Sequence, residues 1–264
     1  MLKYPVAADW SGADLAFSVL DLAILLIVAF VPSIIYVVWI RNTERFHKEP
    51  YARLLRVFVY GATISIVLAI ILESLVMELY HMNFARVYEL LGDNPNIETI
   101  LLACVIAPFV EEATKTVGVL RQRRFMAEIE DGIVYGAAAG LGFAATENLL
   151  YEGSALVELG TTAFVATAVV RIFSSSLLHA SASAVSGLGI ARKLRQGRSW
   201  LPYYLGAVVM HSIFNLGASL GTLYEDQLGS SADLTGLIMA FMIAFVGISL
   251  VRSKIRGLDR GLAR

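Results

Sequence analysis

Hydrophobic positions along the chain gather into seven long blocks separated by short charged stretches. A bilayer core of ~30 Å is crossed by ~20 mostly apolar helical residues. Seven windows meet that requirement: residues 17–40, 54–79, 97–120, 132–151, 161–190, 201–224 and 234–251. Backbone exposed to lipid must satisfy its own hydrogen bonds, so each window is predicted to be a helix. A closed β-barrel would alternate polar and apolar positions over short strands, and these blocks are continuously apolar. The fold class is therefore all-α, a polytopic transmembrane helix bundle of about seven spans. The fifth window is long and contains Arg171, so it is either tilted or starts outside the bilayer. Neither a second domain nor an internal repeat stands out, and residues 1–264 read as a single integral membrane domain.

The placement of charge orients the bundle. Of the 21 basic residues, 17 fall at alternate connections. Arg41, Arg45, Lys48, Arg53 and Arg56 surround the first connection, and Arg121, Arg123 and Arg124 follow the third span. Arg192, Lys193, Arg195 and Arg198 follow the fifth span; Arg252, Lys254, Arg256, Arg260 and Arg264 fill the tail. The opposite connections hold Lys3 and Arg86 with acids such as Glu89, Asp93, Glu152, Glu158, Glu225 and Asp226. By the positive-inside rule the N-terminus lies outside and the C-terminus in the cytoplasm, which requires an odd number of spans. The basic clusters read as topology signals, and no nucleic-acid partner is expected.

Composition agrees with a membrane protein and adds little else. The chain is 57% hydrophobic and 16% charged, too little charge to wet the surface of a soluble domain. The single cysteine, Cys104, excludes an internal disulfide framework and a Cys-based metal site. The first apolar block is followed by six more and reads as a retained span rather than a cleaved signal.

Ionisable groups at membrane depth are costly and ask for a reason. The third window carries Glu111, Glu112 and Lys115, spaced so that one helix face holds a carboxylate–ammonium pair. The second glutamate then needs another cation, for which a metal ion is a strong candidate, or a raised pKa. The fourth window carries Glu147 and Asn148, the fifth His179 within a run of small residues, and the sixth His211 and Asn215. Counted from the basic ends at ~1.5 Å per residue, Glu111, His179 and His211 reach a similar depth of ~15 Å. Glu, His and His from three helices at one level suit Zn²⁺ or another divalent metal with an open position for water. A second carboxylate would serve as general base.

At these residues the chain resembles the PrsW family of intramembrane proteases. Glu111-Glu112-Ala-Thr-Lys115 is similar to its EExxK motif and Phe143-Ala-Ala-Thr-Glu147 to its FxxxE motif. His179, and His211 with Asn215, resemble its later histidine motifs. That family is similar to the CAAX-protease and bacteriocin-processing group, whose motifs run EExxxR, FxxxH and HxxxN. Here Lys115 stands one residue before that group's Arg, and Glu147 stands where its His would be, so the match is closer to PrsW. The resemblance spans 107–218 and implies a catalytic core over about 98–223. It implies hydrolysis of a membrane-associated protein substrate, such as an anti-sigma factor, in a prokaryotic cytoplasmic membrane. Glu111, Glu112, His179, His211 and Asn215 are the expected catalytic residues. His179, His211, Glu147 and Glu111 are the expected metal ligands, with Lys115 and Asn148 in support. Three other readings stay open: a metal-free, glutamate-dependent endopeptidase of the CAAX type, a membrane carrier, and a non-enzymatic scaffold.

Overall fold

The computed structural model describes residues 18–83, 95–221, 223–224 and 229–262. Lys3, Arg86, Glu89, Asp93, Glu225, Asp226 and Arg264 of the charge pattern lie outside the described residues. Helix α1 is Val19–Arg41, opened by a capping box between Ser18 and Asp21. Helix α2, Tyr51–Asn83, contains a π turn at Gly61–Ser65. Helix α3 covers 95–120 as Pro95–Ile100, a π turn Leu101–Ile106 and Ala107–Leu120. Helix α4 is Ile129–Leu159, α5 Thr161–Phe173, α6 Ser175–Gln196, α7 Leu201–Ala218 and α8 Ser230–Leu262. Among the described residues there is no strand.

All seven predicted windows are helical, but five helices are long and apolar enough to cross a membrane: Val19–Arg41, Tyr51–Asn83, Ile129–Leu159, Thr161–Gln196 and Ser230–Gly261. The two windows left out are α3 and α7. Both carry polar residues inside the bundle, Glu111, Glu112 and Lys115 on α3 and His211 and Asn215 on α7, which dilute their apolar character. The long fifth window is two helices that meet at Ser174, whose φ/ψ of −118°/−73° breaks the run between α5 and α6.

Helix α4 forms the centre. Most of its residues from Glu130 to Ala145 are buried, although its sequence is rich in Gly and Ala rather than in large side chains. Small residues let helix backbones approach closely when side-chain hydrophobicity gives no contrast with lipid. Gly132, Gly136 and Gly140 lie at one-turn spacing. A Cβ at each would run into the backbone of α6, at Gly187, Ser183 and His179 respectively. On another side Gly142 meets the Phe58 carbonyl of α2. Large apolar residues instead face outward on α1, α2 and α8, among them Leu20, Ile27, Leu55, Leu75, Val246 and Leu250. That inside-out distribution of side-chain size fits a bundle surrounded by lipid.

The α1–α2 connection, the turn after α3 and the end of α8 meet at one end of the bundle. Arg53 stacks on Phe125, and Arg252 bonds Thr43 at 3.0 Å. The amides of Arg45 and Phe46 donate to Asp259. Three of the predicted basic clusters therefore share one end.

Candidate active site

The lower half of α3, α4, α6 and α7 enclose the polar centre. Glu111, Glu112 and Lys115 fall within one turn of α3 and are all buried. The Lys115 ammonium donates to Glu111 Oε2 at 3.0 Å, to Glu112 Oε1 at 2.9 Å and to His179 Nδ1 at 2.8 Å. All three of its hydrogens are thus used, and it lies 4.1 Å above the Phe143 ring, a cation–π contact. Glu112 also accepts the Ser183 hydroxyl at 3.0 Å on its other oxygen.

The hydrogen bonds of the two histidines fix their tautomers. An ammonium can only donate and a carboxylate can only accept. His179 Nε2 lies 2.9 Å from Glu147 Oε2, so Nε2 carries the proton and the Nδ1 lone pair faces the site. His211 Nδ1 lies 3.2 Å from Glu112 Oε1, so Nδ1 carries the proton and the Nε2 lone pair faces the site. Both inward-facing nitrogens lie near one oxygen: Glu111 Oε2 is 3.8 Å from His179 Nδ1, which also accepts from Lys115, and 3.9 Å from His211 Nε2. The rings meet edge to face with centroids 4.8 Å apart.

This donor set fits a metal ion. One ligand atom from each of Glu111, His179 and His211 lies within 4.8 Å of the others. Tetrahedral bonds of ~2.1 Å place ligand atoms about 3.4 Å apart, a few tenths below the two distances to Glu111. Each histidine has the carboxylate partner on its outer nitrogen that metal-binding imidazoles characteristically keep. Glu147 and Glu112 fill that outer role here.

Glu147 is itself anchored. Arg171 on α5 donates to it at 2.5 Å and to the Asn148 side-chain oxygen Oδ1 at 2.8 Å, and the Asn148 Nδ2 donates to the Ser176 hydroxyl at 3.0 Å. The structure thus brings Glu111, Glu112, Lys115, His179, His211 and Glu147 together and leaves Asn148 and Asn215 one layer out. The Asn215 amide donates to the Ala103 carbonyl at 2.7 Å, inside the π turn of α3. Thr146 does the same to Ala62 in the π turn of α2 at 2.7 Å. Such turns leave a carbonyl without its regular helical partner. In both cases a side chain of a motif segment supplies one, Asn215 itself and Thr146 next to Glu147.

Four contributors escaped the sequence reading. Arg171 was legible only as an odd charge. Ser183 is one turn beyond His179 and shares its face. Thr146 precedes Glu147. Glu73 on α2 lies within electrostatic range of Glu147 and Lys115, with Oε1 buried and unbonded; its signal was a lone carboxylate in an apolar window.

Comparison with known families decides the kinship. Residues 49–248 match the model of the PrsW family intramembrane metalloproteases. The chain belongs to that family. Relatives of the PrsW family include the protease PrsW of Clostridioides difficile (strain 630), 31% identical over 152 residues. That match covers 56% of this chain and 58% of the relative, so the chain spans less than two thirds of its length. The protease PrsW of Geobacillus kaustophilus (strain HTA426) is 28% identical over 174 residues, covering 62% and 68% of the two chains. No solved structure matches the chain. The matched region contains every polar group of the site, from Glu73 to Asn215, and the apolar, membrane-length helices around it make the protein an integral membrane protein.

Proposed function

We propose that this chain is a membrane-embedded metalloendopeptidase that hydrolyses peptide bonds of a membrane-associated protein. The reading rests above all on the convergence of His179 Nδ1 and His211 Nε2 on Glu111, with both rings pinned by carboxylates. Glu111, His179 and His211 would hold the metal, and an N/O donor set of this kind suits Zn²⁺. When bound, the metal polarises the scissile carbonyl and makes water a better nucleophile. The carboxylate of the pair that is left free takes the proton from water and returns it to the leaving amine. Lys115 offsets the charge of both glutamates, and Glu147, anchored by Arg171, keeps His179 turned toward Glu111.

Seven spans with the N-terminus outside and the basic end in the cytoplasm complete the proposal, as does a prokaryotic cytoplasmic membrane. The substrate class is a protein that spans or abuts that membrane, such as an anti-sigma factor. The decisive test is the metal content of purified protein in detergent, measured beside a His179→Ala, His211→Ala variant. About one zinc per chain, lost in the variant, is expected. A well-folded parent without metal would refute the metal-dependent form.

One observation favours a second reading. The Lys115 ammonium already takes the His179 lone pair that a metal would use. In a metal-free hydrolase Glu111 would accept the proton from water, and His211, once protonated on Nε2 as well, would stabilise the oxyanion. Cleavage that survives exhaustive chelation would select this alternative.

A further inference from the structure

A half-open groove of about 390 Å³ lies at the basic end of the bundle, between the first turns of α2 and the end of α3. On α2 its wall includes Arg56, Val59, Tyr60 and Ile64, and on α3 it includes Gly118, Arg121 and Phe125. The two helices approach closely here because position 118 is glycine. A Cβ at Gly118 would lie 2.5 Å from the Tyr60 ring.

Two chemistries meet in the groove. One is cationic. Arg121 caps the C-terminus of α3, with its guanidinium carbon 5.7 Å from the centroid of the Tyr60 ring, and Arg56 stands one turn before Tyr60 on α2. Among the described residues neither arginine forms an ion pair, and the Tyr60 hydroxyl donates to no protein group. No acidic side chain lines the groove, so its positive charge is uncompensated. The other chemistry is apolar. Val59 and Ile64 are each 48% exposed, and farther along α2 Val67, Leu68 and Ile71 are exposed as well. From Arg56 to Ile64 the helix rises about 12 Å.

Uncompensated cations that run on into an apolar wall match an amphiphile with an anionic head. A water-soluble polyanion would engage the arginines and leave the wall unused. Guanidinium groups pair bidentately with phosphate oxygens, and basic pockets between membrane helices recognise anionic lipid headgroups. We propose that this groove holds one anionic phospholipid, its phosphate between Arg56 and Arg121 and an acyl chain along Val59 and Ile64. The Tyr60 hydroxyl is a further donor for the headgroup. A lipid seated there ties the start of α2 to the end of α3, whose preceding turns carry Glu111, Glu112 and Lys115.

The test uses the full chain in non-ionic detergent, titrated with dioleoylphosphatidylglycerol and followed by native mass spectrometry. One lipid retained per chain is expected. Binding should weaken at least about tenfold when Arg56→Gln and Arg121→Gln are combined. It should be unchanged when Arg123→Gln and Arg124→Gln are combined, which removes the same charge from residues outside the groove. Dioleoylphosphatidylcholine should bind at least about tenfold more weakly than the anionic lipid, and inorganic phosphate should not displace it. Equal weakening by the two double variants, equal retention of the two lipids, or displacement by phosphate alone would overturn the proposal. If the Arg56 and Arg121 double variant does not fold, the single substitutions take its place: weakened binding in either supports the site, and unchanged binding in both refutes it.

Discussion

Gly140→Ala offers a severe test of how the site is assembled, because it adds one methyl group at a residue that contributes no side chain to the site. A Cβ at Gly140 would lie 2.7 Å from the His179 carbonyl carbon and 2.9 Å from the Ser183 hydroxyl, and closer still to the His179 carbonyl oxygen. Carbon atoms rest about 3.5–4.0 Å apart, so α4 and α6 must separate by roughly 1 Å. The obstruction is backbone, and no rotamer change relieves it. Two bonds run from α6 across this region, His179 to Glu147 at 2.9 Å and Ser183 to Glu112 at 3.0 Å. A 1 Å separation of α4 from α6 stretches the His179–Glu147 bond beyond hydrogen-bond range. Overpacking of this kind costs about 1–3 kcal/mol of stability, and a 1 Å misplacement of a catalytic group costs about 10²-fold in rate. Cleavage of a membrane-embedded reporter should therefore fall by about two orders of magnitude, with a Tm lowered by a few degrees. Gly153→Ala is the control. It lies on the same helix, its Cβ would meet nothing within 4 Å, and it should leave cleavage unchanged while stabilising the helix slightly. Parent-level cleavage in Gly140→Ala would refute the claim that close α4–α6 contact positions His179.

The remaining predictions concern the anchors and the buried acids. Arg171→Ala should lower zinc affinity about 10- to 100-fold, as loss of an outer-shell partner does, while Arg171→Lys should restore part of it; equilibrium dialysis of the two variants decides, and unchanged affinity in Arg171→Ala would refute the anchoring role. Asn215→Ala leaves the Ala103 carbonyl without its donor and should destabilise by about 1–3 kcal/mol. Thermal denaturation reads the loss, and zinc stoichiometry should persist. In chelator, stability should fall as pH rises from about 5 to about 8. Folding raises Glu44 to about 8 and Glu49 to about 7, above their unfolded value of ~4.3. The native state therefore holds more protons across that window, and its stability declines until the folded carboxyls are ionised. A flat pH profile would contradict the burial of these groups.

The helical architecture was legible because apolar length is a strong signal; the third and sixth windows are helices as expected, but the polar residues they carry keep them out of the five helices long and apolar enough to cross a membrane. The break at Ser174 was not, since no Pro or Gly marks it. Neither π turn announces itself in sequence. The level shared by Glu111, His179 and His211 followed from counting residues along helices. Which ring nitrogen faces which carboxylate did not, because that depends on the rotation of α6 and α7 about their own axes. Glu147 illustrates the difference. From sequence it could equally be a helix-end feature, yet it sits within α4 and bonds His179, because the glycines at 132, 136 and 140 hold α4 against α6. Asn215 illustrates the reverse. It shares a helix face with His211, and its amide nevertheless reaches the freed carbonyl of α3.

The central claim is that the Glu111, His179 and His211 cluster hydrolyses peptide bonds within the membrane. The most direct measurement is cleavage of a single-span reporter protein by the purified chain in liposomes, compared with Glu111→Gln, Glu112→Gln and His211→Ala at equal insertion. The account predicts one defined cut by the parent, abolished in all three variants and by zinc chelation. Undiminished cleavage by Glu111→Gln or His211→Ala would contradict it.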